Sequence, residues 1–197
     1  MKVLELFSGT GSVGKVCKQL GYEVVSVDLI MDADHKCDIM DFDYKQYSKD
    51  EFDIVWASPP CTEYSAMNYC RPNKIPDIEG SNKLVEKTLE IINYFANSYG
   101  KLWFMENPQT GTLKNQSFMK NLPFYDVDYC KYDNPIRKRT RIWTNKDNFN
   151  NLLCKKDCNS IINGKHLSFR YYNIKGQNRL HLRYRIPEKL IFSLFLD

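Results

Sequence analysis

A chain of 197 residues can bury one sizeable hydrophobic core but is short for two. Its 43% hydrophobic and 26% charged residues exclude a membrane-spanning design, since no run nears the roughly 18 consecutive apolar residues a span needs. The net charge of +4 divides into −6 over residues 1–130 (13 Lys and Arg, 19 Asp and Glu) and +10 over residues 131–197 (15 against 5), an acidic body with a basic end suited to a polyanion.

Lys2–Phe7 reads as a buried strand, and its acidic Glu5 argues against a secretory leader. A Gly-rich turn and a helix from Ser12 to Leu20 follow, closed by Gly21. Glu23–Asp28 and Phe52–Ala57 are further strands, the second ended by Ser58-Pro59-Pro60. Ser81 is placed to cap an amphipathic helix carrying Leu84, Val85, Leu89, Ile92, Phe95, Ala96 and Tyr99 on one face, ending at Gly100. Leu102–Met105 is a short strand before Glu106-Asn107-Pro108, and Phe124–Cys130 with Arg141–Thr144 suggests a hairpin. Strands alternating with helices predict an α/β fold built on a mostly parallel sheet with helices on both faces. The expected organisation is a catalytic domain over 1–145, a small basic segment over 146–186, and a C-terminal helix (187–197) packing on the core.

Gly9-x-Gly11-x-x-Gly14 falls between a strand and a helix, where glycines let the backbone turn tightly against a ligand. Asp28 ends the next strand and can accept from ribose hydroxyls, so the pair points to a nucleoside-containing cofactor. On spacing alone a dinucleotide would fit as well. Further along stand Ser58-Pro59-Pro60-Cys61, Glu106-Asn107-Pro108 and Arg139-Thr140-Arg141.

Taken in order with Phe7-Ser8-Gly9-Thr10-Gly11, these motifs resemble those of the cytosine-C5 DNA methyltransferases. The resemblance covers roughly the first 145 residues and implies a Rossmann-like sheet that binds S-adenosylmethionine. It would place Phe7, Gly9 and Gly11 under the methionine moiety, with Ser8, Thr10, Ser12 and Val13 in the same turn. Asp28 and Leu29 would stand at the ribose, Asp38 and Ile39 at the adenine, and Ser58 and Pro59 beside the catalytic corner.

Cytosine C5 is a poor nucleophile, and covalent addition at C6 makes it enamine-like. Cys61, after a Pro-Pro corner, is the expected nucleophile. Glu106 is the expected acid at N3. By resemblance Arg139 would reach the cytosine O2, and Arg141 would buttress the site or meet phosphate. Arg137 stands where the family usually has Gln, and Arg137 with Lys138 reads as a solvated face. A base inside duplex DNA must be flipped out to meet Cys61, and the polar stretch Thr62–Gly80 is expected to close over it.

The family's long recognition region and closing Asn motif find no match here, so selectivity should be modest or depend on a partner subunit or homodimer. Lys155–Arg185, in which Arg170, Tyr171, Tyr172, Arg183, Tyr184 and Arg185 interleave, is the expected DNA-reading surface. The 7 cysteines lack framework spacing and fit free thiols in a reducing intracellular compartment, cytoplasm or nucleus. Apart from Cys61 they read as small buried hydrophobes or inert loop thiols, so no metal is required. Even so, Cys154, Cys158 and His166 offer ligands zinc could use, with Cys130 or His181 as a conceivable fourth, at a spacing unlike a standard finger. Competing functions are methylation of cytosine in tRNA, an inactive DNA-binding regulatory module, and a nicotinamide oxidoreductase for which only the Gly-rich turn speaks.

Overall fold

The structure is a computed structural model that describes residues 1–71, 73–167 and 183–196. Strands β1 (Lys2–Leu6), β2 (Glu23–Asp28), β3 (His35–Lys36), β4 (Ile54–Ala57), β5 (Leu102–Pro108), β6 (Phe124–Asp128) and β7 (Arg139–Thr144) form one sheet of order β3-β2-β1-β4-β5-β7-β6. The pairings from β3 to β5 are parallel, while β7 runs antiparallel to both β5 and β6. A separate hairpin, β8 (Ile161–Ile162) with β9 (Lys165–His166), follows.

The central strands are buried on both faces, and the two-residue period of a strand sorts their side chains between two cores. Leu4, Leu6, Val55, Ala57 and Met105 face α2 (Ile78–Phe95), which contributes Val85, Ile91, Ile92 and Phe95. Val3, Ile54, Trp56 and Phe104 face the other way, onto α1 (Ser12–Gln19) and α3 (Glu188–Leu196). Leu190, Ile191 and Leu194 of α3 meet Val13, Val16 and Cys17 of α1 in that second core, so the end of the chain closes the face that α1 only half covers.

Some boundaries differ from the sequence expectation. Helix α2 starts before Ser81 because the Asp77 carboxylate accepts the Gly80 amide and caps it; it ends at Phe95, leaving Tyr99 exposed. Strand β5 carries on through Glu106-Asn107-Pro108, because β7 supplies ladder partners from Thr140 to Ile142. Strand β6 stops at Asp128 and passes into a 3₁₀ turn, Tyr129–Tyr132.

Candidate active site

From β1 the chain builds outward through β2 to β3, then returns to the other side of β1 to lay down β4 and β5. Such a reversal opens a crevice at the carboxyl ends of the strands. A cleft of about 610 Å³ lies there, lined by the residues that end β1, β2, β4 and β5.

The turn after β1 depends on backbone shape. Phe7, Gly9 and Gly11 have φ of 58°, 52° and 67°, a left-handed geometry that a phenylalanine adopts only under constraint. Asp28 stitches this turn to the next loop: one carboxylate oxygen accepts the Gly9 amide at 2.9 Å, the other the amides of Ile30 and Met31 at 2.9 and 2.8 Å. Burial pushes the Asp28 carboxyl up, but the Met31, Gly9 and Ile30 amides outweigh it and hold the group below its ordinary range. Leu29, Ile30 and Met31 then form an exposed apolar wall of the cleft.

Cys61 and Glu106, on neighbouring strand ends, line this same cavity. The buried Asn107 side chain donates to the Pro59 carbonyl at 2.9 Å and so pins the Pro-Pro corner to β5. Glu106 is only 6% exposed. One of its oxygens accepts from the Tyr129 hydroxyl and from the Lys138 ammonium, each at 3.0 Å, and that ammonium lies 5.0 Å over the Tyr129 ring. Burial pushes the half-buried Cys61 thiol up and the Glu106 charge adds to this, with partial offset from Lys138 and Arg183. Two buried side-chain oxygens in the lining, Ser8 Oγ and Asn107 Oδ1, have no hydrogen-bond partner among the described residues. Buried polar atoms are seldom left so, and groups facing a cleft are available to a ligand.

No protein-family model matches the chain. A frog virus 3 (isolate Goorha) protein named "Probable DNA (cytosine-5)-methyltransferase" is 36% identical over 218 aligned positions, which cover 98% of either chain. The chain belongs to the DNA (cytosine-5)-methyltransferase family. Solved structures share its fold. The Entamoeba histolytica methyltransferase EhMeth has a TM-score of 0.53 at 15% identity over 78% of this chain, and the Dnmt2 methyltransferase of S. pombe 0.50 at 13% over 73%. The chain spans about half the length of these two, 55% and 48%.

Within this methyltransferase family member, Phe7, Ser8, Gly9, Thr10, Ser12, Asp28, Leu29, Asp38, Ile39, Ser58 and Pro59 line the cleft together with Cys61 and Glu106. Gly11 and Val13 do not: Gly11 shapes the turn as the N-cap of α1, and Val13 is core. The two motif arginines also lie outside the lining. Arg139 is exposed at the start of β7 and is not part of the lining. Arg141 turns to the outer edge, where Nε and Nη2 bond the Asp126 carboxylate at 2.7 and 2.9 Å over the Phe124 ring.

Lys138 is the cation that reaches Glu106, and Arg137 forms a two-point pair with the buried Asp128, so neither belongs to a solvated face. Other lining residues were not anticipated. Glu5 was visible as a carboxylate inside an otherwise apolar strand; burial pushes it up to about 8 despite bonds from the Gly14 and Val13 amides. Ile30, Met31, Tyr184 and Ile186 gave no comparable signal.

Much of the basic charge after residue 130 is spent internally. Lys131 pairs with Asp157, Arg185 with Glu188 and Lys189 with Asp133, besides the three pairs above. Lys155, Lys156 and Lys165 are exposed, while Arg170, Tyr171, Tyr172 and His181 lie outside the described residues. Cys154, Cys158 and His166 come together with Cys130 at a place the cleft does not include.

Proposed function

We propose that this chain methylates C5 of cytosine in duplex DNA, with Cys61 as nucleophile and Glu106 as the acid at N3. One observation supports this above the rest: a cysteine and a buried carboxylate from adjacent strand ends share one cavity with an Asp28-braced glycine turn. S-adenosylmethionine, when bound, supplies an electrophilic methyl group. The residues present fit it. Asp28 would accept from ribose hydroxyls, Leu29, Ile30 and Met31 would flank the adenine with Asp38 and Ile39, and Ser8 Oγ and Asn107 Oδ1 would gain partners.

The Cys61 thiol would give up its proton by way of the Glu106 carboxylate, and the sulfur would bond to C6 of a flipped cytosine as ring electrons shift toward N3, which would take that proton from Glu106. C5 would then carry nucleophilic density and take the methyl group, with S-adenosylhomocysteine as the leaving group; loss of the C5 proton to a base, return of the N3 proton to Glu106 and departure of the Cys61 thiolate would restore the ring. Lys138 and Tyr129 orient Glu106 for this. Because burial favours the thiol, a shift to thiolate would accompany binding of the base beside Lys138 and Arg183. Flipping costs a few kcal/mol of stacking and pairing, to be offset by contacts elsewhere. The stretch after Cys61 is suited to that: its Lys74–Glu63 pair at 2.7 Å and the Asn68 bonds to the Thr62 and Glu63 carbonyls make it a compact unit that can move as one. The exposed lysines of the basic segment would hold phosphates, with a partner subunit or second copy extending a short recognition surface in an intracellular setting.

The test is transfer of labelled methyl from S-adenosylmethionine to duplex DNA and to tRNA, with bisulfite sequencing and a Cys61→Ala control. Methylcytosine in DNA that vanishes in the control is expected. Methylation of tRNA alone would replace the substrate, and none on either polymer would leave a non-catalytic DNA-binding module.

A further inference from the structure

The strongest feature outside the cleft is a cluster of zinc-ligand side chains at the β6 edge. Cys130 comes from the 3₁₀ turn after β6, Cys154 and Cys158 from the loop after β7, and His166 from β9. Their four ligand atoms lie within 4.8 Å of one another, and Cys154 Sγ stands 3.2 Å from His166 Nε2. With Zn–S bonds near 2.3 Å and Zn–N bonds near 2.0 Å, the edges of a zinc tetrahedron measure about 3.5–3.8 Å. The cluster therefore needs only a slight contraction. Cys130 and Cys154 are buried, 5% and 6% exposed, so water is largely shut out.

The backbone is shaped to make this meeting. Lys156, between the two loop cysteines, holds a left-handed φ of 66°, which folds that loop back on itself. Asn163 and Gly164, at 51° and 72°, turn the β8–β9 hairpin so that His166 returns to the loop. The Asp128 carboxylate accepts the Cys154 amide at 2.8 Å and fixes the loop to β6. Packing of small hydrophobes does not account for the arrangement, because an imidazole and the half-buried Cys158 converge on the same point. Nor do the two hydrophobic cores hold this region among the described residues: of those between Phe149 and Ile186, they receive only Leu152 as a partly buried neighbour.

The geometry points to a structural zinc site formed by Cys130, Cys154, Cys158 and His166, which fastens the basic segment to the β6 edge of the sheet. Four protein ligands leave no open position, so the metal supplies folding energy to a segment whose described residues add little to either core, and no chemistry. Binding deprotonates the three thiols and releases those protons to solvent, leaving a site of net charge −1 among Lys131, Lys155 and Lys156. This inference is independent of the methyl-transfer reading.

The test is the zinc content of the full chain, purified under reducing conditions without chelator from zinc-supplemented cells. About one zinc per chain is expected, falling several-fold in Cys158→Ser and in His166→Ala. Cobalt(II) exchanged into the wild type should show thiolate-to-metal charge-transfer absorption, a readout that stands if either variant fails to fold. The inference is overturned if the wild type carries only trace zinc and its Cys130, Cys154 and Cys158 alkylate as fast as the exposed Cys70. Zinc retained in full by both folded variants overturns it too.

Discussion

The two ends of the sheet are held by different physics. Around β1, β2 and β4, apolar burial fixes the strands and backbone geometry makes the site: left-handed Phe7, Gly9 and Gly11, and amides gathered by Asp28. Around β6 and β7, side chains take over: Arg137 on Asp128, Arg141 on Asp126, Lys138 on Glu106, and the cysteine–histidine cluster. The first arrangement tolerates an open crevice because main-chain bonds do not depend on what fills it. The second is a set of cross-links among charged groups, each of which fails when one partner is removed. Placing the proposed cofactor cleft on the first and the proposed DNA-facing segment on the second would let the two surfaces vary separately.

The largest effect expected on the cleft side is chemical. Cys61→Ala should lower methyl transfer by roughly 10⁴-fold or more while leaving S-adenosylhomocysteine affinity within about twofold, since the sulfur is proposed to act only on the base. Steady-state rates and calorimetric titration check the two halves, and a large loss of cofactor affinity would show that Cys61 belongs to the turn's architecture instead.

Glu5 tests whether the cleft side carries an unpaired buried charge. Its folded-state pKa of about 8, against 4.5 for an ordinary glutamate, means the folded chain keeps a proton that the unfolded chain has released. Stability should fall as pH rises from about 4.5 to about 8, by on the order of 5 kcal/mol, and then level off. Glu5→Gln keeps an oxygen for the Gly14 amide at 3.0 Å and should flatten that slope. Urea unfolding at several pH values reads it directly, and an unchanged slope would place the cause elsewhere.

On the other side, Asp128→Ala removes a carboxylate that is 1% exposed and takes two bonds from Arg137 and one from the Cys154 amide. A half-buried guanidinium and a buried amide lose their partner, so destabilisation of about 3 kcal/mol is expected, with a drop in zinc retention. Cofactor affinity should hold within about twofold. If the affinity falls in step with stability, the two regions are one cooperative unit and the contrast drawn above is wrong.

The first half of the molecule was legible because its apolar runs are continuous and Gly or Pro punctuates each one. The order of Gly9-x-Gly11, Asp28, Pro60-Cys61 and Glu106 followed the strands, so the lining of the cleft could be named in large part. Strand register was not legible. Alternation in β7 sends Lys138 and Thr140 one way and Arg139 and Arg141 the other, and only pairing with β5 and β6 decides which set meets Glu106. The closely spaced arginines therefore gave no sign that Lys138, one position before them, meets Glu106. Cys130 could be offered only as an alternative to His181, since nothing local ties it to a loop 24 residues away. The Asn163-Gly164 hairpin was there to be read, and it is what brings His166 to that loop.

Lys138 stands at the junction of the two regions and gives the smallest effect expected. Its ammonium is one of the charges that partly offset the rise in the Cys61 pKa caused by burial and by Glu106. Lys138→Met keeps the stem over the Tyr129 ring and deletes the charge. The thiolate then loses a stabilising field, so alkylation of Cys61 by iodoacetamide at a fixed mildly alkaline pH should slow about twofold. Glu106→Gln removes the opposing negative charge and should speed it, which fixes the sign of each contribution. Equal rates in all three proteins would mean that solvent in the open cleft screens Cys61 from both groups, and that the field on the sulfur is established only when DNA excludes that solvent.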